Sequence, residues 1–235
     1  MKLLAVSAAA ALVAVSLSAG EFKTHTELSY IQTGGNTDTK SFGLDFHGEK
    51  EIDQLNKLSL DLEAGYAQTD GTETKNAWLA ELNYFYKFSE RLSFNYLVGY
   101  KDDKFSGFDN QFYTGPGLEY LAYKTDKMML KTNANVLFER DKYDNGDTDS
   151  YTAGRAGLLF EYNIYDNLKF VEDANIRTKF SDMSNYFLYS KSSIYSKING
   201  NLSLGVSYKI DYQNEPPATK KKTDTTFMVS LVVDW

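Results

Sequence analysis

Apolar residues recur at every second position along most of the chain and keep the same parity from one segment to the next. Between residues 22 and 212, the even-numbered positions of eleven successive segments are predominantly apolar or aromatic. The odd-numbered positions of those segments carry most of the charged and amide side chains. A period of two is typical of a β-strand, whose successive side chains point to opposite faces of the sheet. The sequence therefore predicts an all-β chain with one apolar face and one polar face.

The polar face carries charges of both signs. Its ionisable residues are Asp61, Glu63, Glu81, Lys101, Glu119, Lys131, Glu139, Arg155, Glu161, Asp173, Arg177, Lys191, Lys209 and Asp211. If about 12 strands turned their apolar face inward, the core would be too wide to fill, since ~8 strands already make an interior just wide enough for side chains. If the faces are inverted, lipid covers the apolar side and these residues line a hydrated or salt-bridged lumen.

We therefore predict a closed, antiparallel, up-and-down transmembrane β-barrel of about 12 strands. Closure satisfies every backbone hydrogen bond within hydrocarbon, which an open sheet does not achieve. The apolar face carries one charge, Glu172, and we expect a β-bulge to turn that side chain inward.

The last segment, residues 223–235, has the same period with the opposite parity and ends on an aromatic residue. Its apolar positions are Phe227, Val229, Leu231, Val233 and Trp235. A terminal strand of this kind predicts pairing with the first strand to close the barrel. It is also similar to the terminal strand by which outer-membrane barrels are recognised, so we expect the outer-membrane barrel assembly machinery to be a partner.

Composition excludes several other classes of protein. The chain has 235 residues and no cysteine, which excludes a disulfide scaffold and a thiolate metal site. The net charge of −7 disfavours nucleic acid as a partner, because phosphate binding needs clustered Lys and Arg. Residues 1–20 combine Lys2, an apolar run and small residues, which predicts a cleaved signal peptide. Residues 21–235 then form a single barrel domain in the outer membrane of a Gram-negative bacterium.

Connections and aromatic residues predict an orientation. Short connections are expected at 89–91, 124–127, 163–167 and 199–201, and longer polar ones at 68–75, 102–110, 140–149 and 213–222. Short periplasmic turns and longer extracellular loops are usual in such barrels. Aromatic residues at the strand ends of the apolar face would form two girdles, which include Trp78, Tyr84, Tyr86, Phe88, Tyr100, Tyr162, Tyr212 and Trp235.

Three stretches resemble a known family. Residues 30–39, with their Gly-Asn-Thr-Asp sequence, are similar to the opening hairpin of the YdiY-like family of salt-induced outer-membrane proteins, formally a domain of unknown function. Residues 211–217 resemble its late Asn-Glu-Pro-Pro loop, and residues 223–226 resemble the start of its last strand. The resemblance implies a transmembrane barrel and no particular reaction. This chain ends on Trp where Phe is commoner in the family.

Groups that could catalyse a reaction or bind a metal are few. A hairpin centred near residue 36 sets His25 opposite His47, as a metal or proton site or as two ordinary polar residues of the lumen. We favour the second alternative because no third ligand is evident, and we predict no metal and no cofactor. A lipid-facing hydrolase site needs His and Ser together, yet the apolar face offers Ser190 and Ser192 without a histidine. We therefore expect no enzyme.

Three hypotheses for function remain. The polar, glycine-interspersed face favours a passive channel for ions or small polar solutes. Opposite charges and bulky inward residues would instead favour a plugged barrel that stabilises the envelope or presents loops. A barrel enzyme is the third. Outer-membrane lipid and a small solute or ions are the expected partners, without nucleic acid.

Overall fold

The computed structural model describes residues 22–33, 35, 37–217 and 220–235, all in strands and their connections. The strands are β1 (Phe22–Thr33), β2 (Thr39–Glu51), β3 (Asn56–Thr69), β4 (Thr72–Lys87), β5 (Leu92–Asp103), β6 (Phe108–Lys124), β7 (Met128–Tyr143), β8 (Thr148–Tyr165), β9 (Leu168–Lys179), β10 (Asp182–Asn199), β11 (Leu202–Gln213) and β12 (Thr223–Asp234). The predicted signal peptide lies outside the described residues. In the described ranges, no helix is long and apolar enough to cross a bilayer.

Each strand pairs antiparallel with its neighbours in sequence, and β12 pairs with β1. This arrangement confirms the predicted closed barrel of 12 antiparallel strands. The end of the barrel that holds the start of β1 and the end of β12 is called the periplasmic end below, following the predicted orientation. The opposite end is called the extracellular end.

The period of two is visible directly as alternating exposure. In β7, Leu137 and Glu139 are buried, whereas the alternate residues Val136 and Phe138 are 55% and 49% exposed. In β12 the parity switches as predicted, with Ser230 and Val232 buried and Leu231 exposed. Apolar side chains therefore cover the outside of the barrel, and the inside holds most of the polar side chains together with some buried apolar ones such as Leu137 and Val232.

Three of the extracellular connections are shorter than expected because the strands continue beyond the predicted ends. The clearest case is residues 68–75, where the β3–β4 ladder runs to Thr69 opposite Thr72. Asp70 and Gly71 form the turn, with φ values of 48° and 77°. Two positive φ values in an Asp-Gly pair are typical of the two-residue hairpin turns that match strand twist. The longest connection runs from Gln213 to Thr223 at the extracellular end.

Glu172 does not turn inward, so the prediction of a β-bulge at this position is wrong. The β9–β10 register is regular through Glu172 opposite Ser192, and its one irregularity lies between Asp182 and Tyr186. The Glu172 carboxylate accepts hydrogen bonds from Ser190 Oγ at 2.7 Å and from Ser192 Oγ. Two hydroxyl donors on the outer face stabilise the carboxylate where it stands, so no change of backbone register is needed.

Outward and inward positions should differ sharply in their tolerance of charge. Leu158 is an exposed residue of the outer face, and Leu159 lies on the inner face opposite Asp173. We expect Leu158→Arg to lower the free energy of unfolding in lipid by roughly 2–4 kcal/mol. Leu159→Arg is the matched control and should cost clearly less, because its guanidinium faces the lumen, between Asp173 and Lys131, and does not face lipid. Denaturant titration in lipid vesicles measures both, and equal losses would contradict the placement of the two faces.

Candidate functional site: the charged lumen

Polar side chains from strands that do not pair with one another meet inside the barrel. Lys191 of β10 donates hydrogen bonds to Glu27 of β1 and Asp45 of β2, with Nζ–O distances of 2.7 and 2.6 Å. The Tyr195 hydroxyl donates to the same oxygen of Glu27 at 2.7 Å. Because β10 is not a neighbour of β1 or β2, these contacts cross the lumen.

A second contact of the same kind lies between β11 and β3. Lys209 Nζ donates to Glu63 and also lies 3.7 Å from the Asp211 carboxylate. The Tyr189 hydroxyl of β10 donates to Glu63 at 3.2 Å. The two lysines therefore hold the walls formed by β10–β11 and β1–β3 together through the lumen.

The opposite part of the lumen is held by two arginines. Arg155 Nη1 of β8 donates to both carboxylate oxygens of Glu81 in β4, at 3.0 and 3.2 Å. Arg177 of β9 lies 3.4 Å from Glu139 of β7, and its guanidinium stacks 4.9 Å from the ring centre of Tyr113. The charges are thus arranged as pairs of opposite sign, and in each of these four pairs the carboxylate also accepts a hydrogen bond from a tyrosine.

Towards the extracellular end, this side of the lumen is packed. Leu97, Tyr113, Leu137 and Ala153 form a buried cluster with exposures of 0–3%. Glu139 and Asp141 lie beside it, and the Tyr151 hydroxyl donates to both carboxylates, at 3.1 and 2.7 Å. Gln111 Nε2 donates to the other oxygen of Asp141 at 3.0 Å. Little space is left for a solute along this wall.

The lower part of the lumen is more accessible. Asp173, near the middle of β9, is exposed although it lies on the inner face. Asp61 and His47, nearer the periplasmic end, have side chains that are 36% and 42% exposed. Lumen carboxylates are therefore in contact with solvent at these levels.

The other predicted lumen residues are also on the inner face, with different partners. Glu161 pairs with Lys169 at 2.7 Å. Within the described ranges, Lys101, Glu119 and Lys131 make no ion pair. These three side chains leave charges of both signs available to a passing solute.

The long connection after β11 reaches across the extracellular end. The Pro217 ring packs against Gly107, which precedes β6, so that a Cβ at Gly107 would lie 2.8 Å from Cγ of Pro217. β6 and β12 occupy opposite sides of the ring of strands. Phe108, the next residue, is 2% exposed and contacts Phe187 with ring centres 6.2 Å apart. The extracellular opening is therefore partly covered.

The two histidines occupy the predicted cross-strand positions, since His25 lies opposite His47 in the β1–β2 register. His25 Nδ1 is 2.7 Å from Asp234, and His47 Nδ1 is 2.5 Å from Asp61. Across the part of the chain that the structure describes, no three His, Asp or Glu side chains converge as they would to hold a metal ion. Each histidine also has a second carboxylate nearby, Glu27 at 3.4 Å from His25 Nε2 and Glu49 at 3.7 Å from His47 Nε2.

The aromatic residues predicted as girdles lie on the outer face. Trp78 stacks on Tyr100 with ring centres 5.0 Å apart, and Tyr86 contacts Phe88 edge to face. Tyr212 contacts Tyr186 at the extracellular end, while Tyr84 donates a hydrogen bond to Asn56 near the periplasmic end. Tyr162, opposite Phe170 in the register, is half-buried near the periplasmic end.

The final strand closes the barrel at the periplasmic end. Phe227, Val229, Leu231 and Trp235 are 41–60% exposed on the outside. Val233, also on this face, is half-buried. The backbone N–H of Thr24 donates to the carbonyl of Trp235 at 2.7 Å. Recognition of this strand by the assembly machinery stays a prediction.

Sequence reasoning missed several residues that make the lumen contacts. Glu27 and Asp45, which bind Lys191, were not among the predicted lumen residues, although both have the inward parity. Asp141 falls in a stretch expected to be a loop, and Gln111 directly follows another such stretch. The parity rule alone would have found Glu27 and Asp45 within the predicted strands, and it would have found Gln111 and Asp141 if β6 and β7 had been extended to their observed ends.

Comparison with known proteins places the chain in a family and a fold. The model of the family described as "Protein of unknown function, DUF481" matches residues 26–235. No curated protein matches the chain. The match therefore brings no assigned activity with it.

Several solved structures share the fold at low sequence identity. The NanC porin structure has a TM-score of 0.55 at 12% identity, covering 89% of this chain and 98% of that chain. The COG4313 outer membrane channel from Pseudomonas putida F1 has a TM-score of 0.56 at 10% identity, covering 94% and 97%. The KdgM porin, in complex with disordered oligogalacturonate, has a TM-score of 0.51 at 11% identity, covering 90% and 99%. The likeness shows that the fold is that of an outer-membrane barrel.

The Arg177–Glu139 pair allows a test of how the packed wall is stabilised. Glu139 is 1% exposed, so Arg177→Met leaves a buried carboxylate without its cation. We expect a loss of about 3–5 kcal/mol in the free energy of unfolding, because an uncompensated charge remains. Adding Glu139→Gln should restore a large part of that loss. A double-mutant cycle by denaturant unfolding measures the coupling, and strictly additive losses would contradict a direct interaction.

Proposed function

This chain belongs to the family described as "Protein of unknown function, DUF481", and we propose that it is an outer-membrane channel for ions or small polar solutes. The observation that carries the proposal is the charged lumen of a closed barrel, with the solvent-exposed Asp173 near its middle. Ion pairs that cross the lumen narrow it, and a narrow lumen suits ions and small solutes better than large ones. The porin fold of the similar structures agrees with this class.

The proposed setting follows from the same features. The apolar outer face, with aromatic residues at both ends, suits the lipid of the outer membrane of a Gram-negative bacterium. Residues 1–20 would direct export and be removed, and the barrel assembly machinery would insert the chain through its last strand. The proposal includes no chemical reaction, since His25 and His47 are both engaged with carboxylates inside the barrel.

Single-channel recording of the folded, purified protein in a planar bilayer tests the proposal. We expect steady conductance, in which the Asp173 carboxylate, accessible and without an ion pair in the described part of the chain, favours cations against the opposing charges of Lys101 and Lys131. Absence of conductance from protein that is still folded, as shown by heat-modifiable migration on gels, would overturn the proposal of a channel.

Asp173→Asn should lower the permeability to cations relative to anions, measured as a reversal potential under a salt gradient. The physical reason is the loss of a fixed negative charge facing the lumen, where low-dielectric walls strengthen its field. Asp126→Asn is the matched control, because Asp126 lies in an exposed turn between β6 and β7. Equal reversal potentials for the parent protein and the Asp173 variant would count against a path past this carboxylate.

The covered extracellular opening gives a further prediction. Replacing residues 214–222 with a two-residue Asn-Gly turn removes the Pro217 contact with Gly107. We expect larger unitary conductance, because the cover is lost and the charges of the lumen wall are kept. Shortening the 144–147 connection, which lies beside the same opening, serves as the control. Unchanged conductance in the first variant would show that this segment does not limit the path.

The packed wall supports a second candidate, a plugged barrel with a structural role in the envelope. Its specific support is the cluster of Leu97, Tyr113, Leu137 and Ala153, with the two buried carboxylates of Glu139 and Asp141 beside it. For such a barrel, deleting the gene should weaken resistance of cells to detergent, while the purified protein shows no conductance. Conductance in the bilayer experiment decides between the two candidates.

A further inference from the structure

The strand pairing that closes the barrel is incomplete. The β1–β12 ladder runs from His25 opposite Asp234 to Leu28 opposite Leu231 and ends there. On the other side of β1, the ladder with β2 continues to Thr33 opposite Thr39. On the other side of β12, the ladder with β11 continues to Tyr212 opposite Thr223. Both strands therefore extend towards the extracellular end without pairing with each other.

We call this part of the wall the outer seam and define it as residues 29–33 of β1 and 223–230 of β12. Thr223 is level in register with Tyr212, a residue of the extracellular girdle, so the β12 side of the outer seam lies largely within the apolar belt. Unpaired backbone groups at membrane depth are costly and are tolerated where they line a cavity or a polar path. The outer seam is thus the place where the lumen and the lipid can meet.

Apolar side chains lie on both sides of the outer seam. On the lipid side, Tyr30, Phe227 and Val229 are 63%, 60% and 41% exposed. On the inner side, Ile31 is 42% exposed, and Met228 lies close to Gly43, where a Cβ would be 3.7 Å from Met228 Sδ. An acyl chain passing through the seam would therefore keep apolar neighbours on both faces of the wall.

A lysine reaches the inner edge of the outer seam from across the lumen. Lys75 Nζ of β4 donates to Thr226 Oγ1 of β12 at 3.2 Å. Gly65 makes room for this path, because a Cβ there would lie 2.7 Å from Lys75 Cε. Lys191 and Lys209 are engaged by carboxylates, whereas Lys75 makes no ion pair within the described residues. Asp224 lies two residues further along the same face of β12, nearer the extracellular end.

We propose that the outer seam is a lateral port through which a single-chain amphiphile bearing a carboxylate enters the barrel from the outer leaflet, with its head group bound by Lys75. The tail remains between Tyr30 and Phe227 on the lipid side and passes Ile31 and Met228 towards the lumen. Lys75 supplies the positive charge that a carboxylate needs at the point where it leaves the lipid. The port does not require that the lumen conduct ions, so it stands apart from the channel function.

Binding of a fluorescent fatty acid tests the head-group assignment. The probe is dansylated undecanoic acid, titrated into the full chain folded in neutral lipid vesicles, and dansylated undecylamine of the same length is the cationic comparison. We expect the acid to bind and Lys75→Gln to weaken its affinity at least tenfold. Lys131→Gln is the matched control, since Lys131 is a lumen lysine of β7 that also makes no ion pair in the described ranges.

A reversible disulfide across the outer seam tests whether the amphiphile enters there. The chain has no cysteine, so Tyr30→Cys combined with Val229→Cys places the only two thiols where the β1–β12 register would continue. We expect the oxidised variant to lose acid binding and to recover it on reduction, with ion conductance unchanged. Phe42→Cys with Tyr66→Cys, a paired position of β2 and β3, is the control disulfide and should leave binding intact.

Three results would overturn the port. If the parent protein preferred the amine, and if Asp224→Asn abolished that binding, the outer seam would accept a cationic head group and not a carboxylate. If Lys75→Gln bound the acid as tightly as the parent protein does, Lys75 would not be the head-group site, whatever the disulfide experiment shows. If the parent protein bound neither probe, the outer seam would not be a port for a single-chain amphiphile. Because these readouts are affinities and not currents, their failure is distinguishable from failure of the channel.

Discussion

Backbone hydrogen bonding in hydrocarbon is the constraint on which this structure depends. A strand that faces lipid must find partners for every N–H and C=O in neighbouring strands, so the sheet has to close on itself. The single parity shared by the first eleven strands keeps one face apolar around the ring, and the reversed parity of β12 brings its exposed Leu231 to the same outer face. The β1–β12 ladder is the part of the ring where this constraint is least fully met.

Closure turns the polar residues inward, and the lumen contacts follow from that. Charges that would be scattered on the surface of a soluble protein are here brought within reach of the opposite wall, as in Lys191 with Asp45 and Arg155 with Glu81. Desolvation of such groups is costly and is repaid only by good geometry and additional hydrogen bonds. Tyr195 and Tyr113 provide such bonds to Glu27 and Glu81. The same pairs narrow the lumen, so stability and permeability are linked in this barrel.

The sequence predicted the fold well because the period of two is a local property that repeats in every strand. Strand ends were harder to predict: in the Asp70-Gly71 turn the ladder continues to Thr69 and Thr72, where polar residues look like a loop. Glu172 was misplaced because two serines of the next strand stabilise it, and cross-strand partners cannot be identified before the register is known. Contacts such as Lys75 with Thr226 join residues 151 positions apart and depend on the ring order of the strands.

The central claim is that the polar face lines a wet lumen and the apolar face meets lipid, and cysteine accessibility tests it most directly. The chain lacks cysteine, so single cysteines can be placed at Asp173, exposed on the inner face, and at Ile176, 42% exposed on the outer face. In protein folded into vesicles, a small charged thiol reagent should modify the cysteine at 173 and spare the one at 176, which should react with a lipid-soluble maleimide. The reverse pattern would contradict the account.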